Sequence, residues 1–273
     1  MEPSPDRAVG SRGGLTVDVS WALGAALASG ALVGLLLGVF GGGGSVLATP
    51  LLIYAVGVRD PHVAIGTSAS AVAVNALAGL AVQARAGRVK WPCALVFAAA
   101  GLAGSLTGAH LAKQVDGQAL LAGFAGVMAL VGGSMLLPRR NVGDPSVRLD
   151  AGRVLKLAPI GLGTGLAAGF FGIGGGFLIA PGLMAATGMT LAHAAASSLV
   201  SVALFGAATS VSYAASGLVD WPVFGALVGG GAVGVLASGP VAGALSARAA
   251  LAQRLFALMV IAVAAYVAFR AFT

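Results

Sequence analysis

Residues 40–50 read FGGGGSVLATP, and residues 171–181 read FGIGGGFLIAP. Each is a glycine run that follows a phenylalanine and closes on a proline, set within apolar sequence. A glycine in a helix interior costs about 1 kcal/mol relative to alanine, so a spanning helix is not expected to continue through either run. Unpaired backbone groups in hydrocarbon cost several kcal/mol each, so irregular backbone at membrane depth must be buried in protein or line a cavity. The two stretches therefore predict glycine-broken, short or re-entrant helices.

Working outward, the runs belong to a repeat. Pro181 follows Pro50 by 131 positions, and the same offset pairs Gly30, Gly34 and Gly38 with Gly161, Gly165 and Gly169, Phe40 with Phe171, and His62 with His193. Further on, GRVKWP at 87–92 matches GLVDWP at 217–222 at an offset of 130, which aligns Thr67 and Ser68 with Ser197 and Ser198. Ordered self-similarity of this kind marks a duplicated unit. The expected organisation is a polar tail (1–20), a first transmembrane repeat (21–137), a cytoplasmic linker (138–156) and a second transmembrane repeat (157–273), with about five helical segments per repeat. Trp21–Phe40 superficially resembles a secretory signal, but its recurrence within the chain favours a retained segment.

Composition sets the class. The 273 residues are 58% hydrophobic and 8% charged, against roughly 45–50% and about 25% in soluble domains. An all-α polytopic membrane protein is expected. The formal charge of +7 is spread over loops and tails with no clustered basic face, which argues against a nucleic-acid partner. One cysteine and three scattered histidines exclude an internal disulfide and supply no zinc-binding pattern, so neither metal nor cofactor is expected. Paired aspartates, an H-E-x-x-H motif and a buried serine with a histidine base are all missing, so the chain is not expected to be an enzyme.

Basic residues collect in the loop with Arg85, Arg88 and Lys90 and in the linker with Arg139, Arg140, Arg148, Arg153 and Lys156. Cytoplasmic loops are the ones rich in Lys and Arg. In the second repeat the counterpart of the first loop carries only Asp220, while Arg248 and Arg254 fall where the first repeat has Lys113 and Asp116. The preference has flipped between equivalent loops, as inverted repeats predict. Inversion needs an odd number of passes per repeat, so each glycine-turned pair must go in and come back.

Glycine runs expose N–H groups with no Cβ in the way, and each leads into a helix N-terminus that favours an anion. The candidate binding residues are Gly41, Gly42, Gly43, Gly44 and Ser45 in the first run, and Gly172, Gly174, Gly175 and Gly176 in the second. Thr67, Ser68, Ser197 and Ser198 add candidate hydroxyl donors. His62 and His193, at helix starts, are candidates for gating or proton transfer, although an interfacial histidine is the ordinary case. The series Gly30, Gly34, Gly38 and its copy read as close helix packing, Trp91-Pro92 and Trp221-Pro222 as interfacial anchors, and Asn75 as a helix–helix hydrogen bond.

The motifs FGGGGSVLATP, FGIGGGFLIAP, HVAIGTS, HAAASS, GRVKWP and GLVDWP together resemble the sulfite exporter TauE/SafE family, over about 240 residues. Ser45 opposite Gly176, and Ser-Ser at 197–198 in place of a GTS-like pattern, depart from strict equivalence. The resemblance implies a multi-pass permease of the bacterial inner membrane that exports sulfite or a related sulfur-containing anion. A permease for another anion, such as an organosulfonate or a metal-oxyanion, and a non-transporting membrane scaffold are the alternatives. Membrane lipid is the expected surrounding, and the oligomeric state is left open.

Overall fold

The computed structural model describes residues 12–136, 144, 147, 149–171, 176–246 and 249–272. Among them the chain is helical almost throughout. In order come α1 (Arg12–Phe40), a 3-10 segment (Gly41–Leu47), α2 (Ala48–Leu51), a π-wound turn (Leu52–Val56), α3 (Pro61–Arg85), α4 (Trp91–Ala112) and α5 (Gly117–Leu136). After them come α6 (Ala151–Phe171), α7 (Gly176–Thr187), α8 (Leu191–Ala214), α9 (Trp221–Ser246) and α10 (Ala249–Phe272). Seven stretches of the described residues are long and apolar enough to cross a membrane. Large apolar side chains such as Leu130, Leu155, Val211 and Leu236 face outward, while Ser45, Thr67, Ser68, Ser197 and Ser198 are fully enclosed. An apolar exterior around a polar-lined interior suits lipid as the solvent.

Local chemistry sets the helix ends. Asp60 caps α3 by accepting the His62 N–H at 2.8 Å, with Pro61 at the first helical position, and Thr190 caps α8 by accepting the His193 N–H at 3.4 Å. Gly87 and Gly217, at matched positions after α3 and α8, take φ of +67° and +70°, the left-handed conformation that stops a helix at little cost in glycine.

The apolar stretch Ser20–Val56 is 37 residues long but is not one span. Gly41 takes φ +62° and the chain reverses there. Gly44 then lies against Leu36 and Leu37, and Leu52 and Val56 pack with Ala26, so residues 41–56 run back along α1. In the second half α7 returns along α6 in the same way, with Gly182 against Ile160.

Contacts fix the running sense of every long helix. Gly30, Gly34 and Gly38 of α1 meet Leu227, Gly231 and Ser238 of α9, a parallel pair. Gly101, Gly104 and Gly108 of α4 meet Gly161, Leu162 and Leu166 of α6, also parallel. The Asp220 N–H donates to Thr67 Oγ1 at 2.9 Å and Asn75 Nδ2 to the Leu227 carbonyl at 3.3 Å, so α3 runs with α9 and hence with α1. By contrast α3 and α8 are antiparallel, with Gly66 on Tyr213, Ser70 Oγ 2.6 Å from Ser210 Oγ, and Gly79 on Leu199. The pair α5 and α10 is antiparallel too, Gly132 meeting Ile261 while Leu121 and Ala125 cluster with Val267.

These directions give the first half five segments in succession: α1, the returning segment 41–56, α3, α4 and α5. The second half runs the opposite way, α6 against α1 and α8 against α3. Arg85, Arg88, Lys90, Asp150, Arg153, Lys156 and Arg254 gather at one end of the stack, and Arg59, Asp60, Lys113, Asp116 and Asp220 at the other.

Candidate functional site

The two returning segments meet between the halves. Gly42 lies backbone against backbone on Gly176, so closely that a Cβ built on Gly42 would stand 2.6 Å from the Gly176 Cα and 2.5 Å from Val202 Cγ2 of α8. A Cβ on Gly176 would strike the Gly42 carbonyl, and one on Gly41 the Ala195 carbonyl. Gly41, Gly42, Gly43, Gly44 and Ser45 are all buried. Gly172, Gly174 and Gly175 lie outside the described residues.

Glycine makes this winding possible. With no side chains to collide, Gly41–Leu47 coils into a tight 3-10 helix directly after α1, and the Gly42 N–H finds its acceptor on another helix. Ser198 Oγ accepts the Gly42 N–H at 3.1 Å and donates its own proton to the Ala195 carbonyl at 2.7 Å. Ser45 donates back to the Gly42 carbonyl at 2.8 Å. The described part of α7 begins at Gly176, at the crossing.

The four predicted hydroxyls do not converge. Ser68 donates to the Ile65 carbonyl at 3.0 Å and accepts from Thr49 Oγ1 at 2.8 Å. Seven residues of tightly wound helix, roughly 13 Å, separate Gly42 beside Ser198 from Thr49 beside Ser68. One small anion therefore cannot touch both serines. The reason is geometric: α3 and α8 are antiparallel, so residues near their starts lie towards opposite ends of the stack.

Thr67 and Ser197 hold the halves together instead. Thr67 Oγ1 accepts the Asp220 N–H at 2.9 Å at the acidic end, and Ser197 Oγ accepts the Lys90 N–H at 2.9 Å at the basic end. Asp220 and Lys90 are themselves matched positions, so the two bonds are counterparts. Replacing Thr67 with valine leaves the buried side of this loop without an acceptor and is expected to cost about 1–2 kcal/mol of stability. Thermal unfolding in detergent checks it, with Ser197→Ala expected to match; a melting point unmoved by both changes would show that these bonds do not hold the halves.

The histidines differ. His193 Nδ1 lies 2.9 Å from the Arg88 carbonyl, which can only accept, so Nδ1 carries the proton. His62 Nδ1 is enclosed without a partner, and His62 lines a cavity of about 570 Å³ at the acidic end with Tyr54, Arg59, Asp60, Asp116 and Gln118. The hydrogen bonds described for the two histidines do not reach the glycine runs. Two further buried hydroxyls, Ser201 and Tyr213, lack partners and were not singled out by the sequence. Ser201 could have been noticed from its spacing, one helical turn after Ser198.

No solved structure matches the chain. A probable membrane transporter protein of Xylella fastidiosa (strain Temecula1) is 46% identical over 245 residues, covering 89% of this chain and 94% of the relative. A probable membrane transporter protein of Bacillus subtilis is 25% identical over 195 residues, covering 70% and 78%. The family model described as sulfite exporter TauE/SafE matches residues 26–267, and the chain belongs to that family.

Proposed function

We propose that the protein exports sulfite, or a close chemical relative such as an organosulfonate, and that the anion binds where the two glycine turns cross. The observation that carries this is the bare contact of Gly42 with Gly176: two main chains meet there with no side chain between them. Such a contact brings the start of α7 against the 3-10 turn, a main-chain environment that needs no lysine or arginine in hydrocarbon, although the Gly42 N–H is itself held by Ser198 Oγ and would have to exchange that bond for one to the anion. By the repeat, Gly172, Gly174 and Gly175 are the counterparts of Gly41, Gly43 and Gly44 and are proposed to share in binding.

The opposed running sense of the halves and the gathering of Arg and Lys at one end support an inverted arrangement with that end in the cytoplasm. Five passes per half then place the α3–α4 loop and the start of α6 on the same side, as charge demands. The bonds at Thr67 and Ser197 lie on opposite faces, where alternate opening of the halves would break one and then the other.

No Asp or Glu lies within α3 to α10 or between Ser20 and Val56. A carboxylate proton relay inside the spans is therefore ruled out by sequence, and the membrane potential is the natural driving force. An interior-negative potential favours anion exit by roughly 2.3 kcal/mol per charge per 100 mV. In proteoliposomes, sulfite efflux is expected to rise with an imposed interior-negative potential and to ignore a proton gradient at zero potential. Flux that follows the proton gradient alone would overturn the uncoupled mechanism, and the absence of flux for sulfite and sulfonates alike would overturn the function.

A further inference from the structure

Ser201 is wholly buried and its hydroxyl has no hydrogen-bond partner. A serine within a helix ordinarily returns its proton to a carbonyl three or four residues earlier. Ser198 does so to Ala195, Ser70 to Gly66 and Ser105 reaches Phe205 of a neighbouring helix. Ser201 does neither. A buried hydroxyl with nothing to bond destabilises a fold, so each such group calls for a reason, whether strain, a function, or a water or ion that satisfies it.

Two of its neighbours on α8 reach the crossing. Ser201 stands one turn beyond Ser198, which accepts the Gly42 N–H, and next to Val202, whose methyl group lies where a Gly42 side chain would go. The residue matched to it in α3 is Ala71, equally buried, so the packing of that niche is met by a methyl group alone. Serine at 201 therefore adds a hydroxyl that packing does not require, on the helix that faces the glycine crossing.

We infer that Ser201 donates its hydroxyl to an oxygen of the transported anion. The bound anion then has a directional side-chain donor from α8 in addition to main-chain N–H groups, and the two halves of the cradle are unequal, since α3 offers Ala71. The donor is neutral, so the anion is oriented without being held as an ion pair. This assignment rests on the anion site proposed at the turn crossing.

The test is sulfite binding by calorimetry, alongside thermal unfolding, on the purified full chain in detergent. Ser201→Ala is expected to weaken sulfite about tenfold, the change one hydrogen bond to a charged acceptor carries. Its melting temperature is expected to stay level or rise, because no protein group loses a partner. Ser201→Cys, close in size but a poor donor, is expected to behave like alanine. If Ser201→Ala binds sulfite as tightly as the unaltered protein while Gly42→Ala does not bind, the role of Ser201 is overturned and the crossing stands. A lower melting temperature or failure to fold in both Ser201 variants would also overturn it, by showing a structural hydroxyl. If the unaltered protein binds neither sulfite nor methanesulfonate, the crossing itself fails as a site and Ser201 with it.

Discussion

Gly34→Leu is expected to leave no folded protein to purify, whereas Gly163→Leu, on the outward face of α6, is expected to purify at normal yield. At Gly34 a Cβ would strike the Gly231 carbonyl and stand 2.7 Å from its Cα; at Gly163 nothing lies within 4 Å. The obstacle at Gly34 is main chain, which cannot turn away as a side chain can. Leucine there must push α1 off α9 along the whole seam from Gly30 to Gly38. Overpacking a core by a methylene or two already costs about 1–3 kcal/mol, and prising apart two helices moves the loss into the exceptional range above about 4–5 kcal/mol. Gly34→Ala is the graded case, destabilised but recoverable. Gly165 occupies the matched place on Gly101, so Gly165→Leu is expected to fail equally. Size-exclusion profiles and melting curves decide it. A monodisperse Gly34→Leu protein melting within a few degrees of the unaltered chain would show that the seam is not close-packed.

The glycine seams also show what a sequence can and cannot disclose. Spacing of four at Gly30, Gly34 and Gly38 announces close approach of another helix, but carries no label for the partner. The partner is α9, from the other half of the chain, and the matched seam pairs α6 with α4. Asn75 illustrates the same limit: its helix–helix bond was foreseeable, while its acceptor, the Leu227 carbonyl of α9, was not. Phe205, its counterpart, fills the equivalent niche against Gly101.

Loop charge predicts inversion, and the proposed inverted arrangement has a consequence for the site. When two halves run in opposite senses, matched residues come together only near the symmetry axis and move apart with distance from it. Thr67, Ser68, Ser197 and Ser198 sit near helix starts, so the same symmetry that relates them sends them towards opposite faces. Gly42 and Gly176, which belong to the two matched runs without being each other's counterparts, do meet. The tight winding of 41–47 was hidden for another reason: a run of glycines has no side-chain pattern from which a period can be read.

The last expected result concerns that meeting point. Gly42→Ala is expected to lower sulfite flux about a hundredfold, equivalent to roughly 2.7 kcal/mol, in a protein that still folds. Gly42 itself does not have a positive φ, unlike Gly41, so alanine meets no conformational penalty and the whole effect comes from contact. Its methyl group would stand 2.6 Å from the Gly176 Cα and 2.5 Å from Val202 Cγ2. One of these obstacles is a side chain and the other is backbone, which allows the causes to be separated. Adding Val202→Ala removes the first. If packing against α8 were the source of the defect, the double variant would recover flux. Because the Gly176 main chain remains in place, the recovery expected is small, and the two turns stay apart by the width of a methyl group. Small-ligand sites tolerate little displacement of their donors, since hydrogen bonds weaken steeply with distance and angle. Flux by Gly42→Ala at the unaltered rate would mean the anion passes elsewhere, and the cavity beside His62, at the acidic end, would then be the place to look.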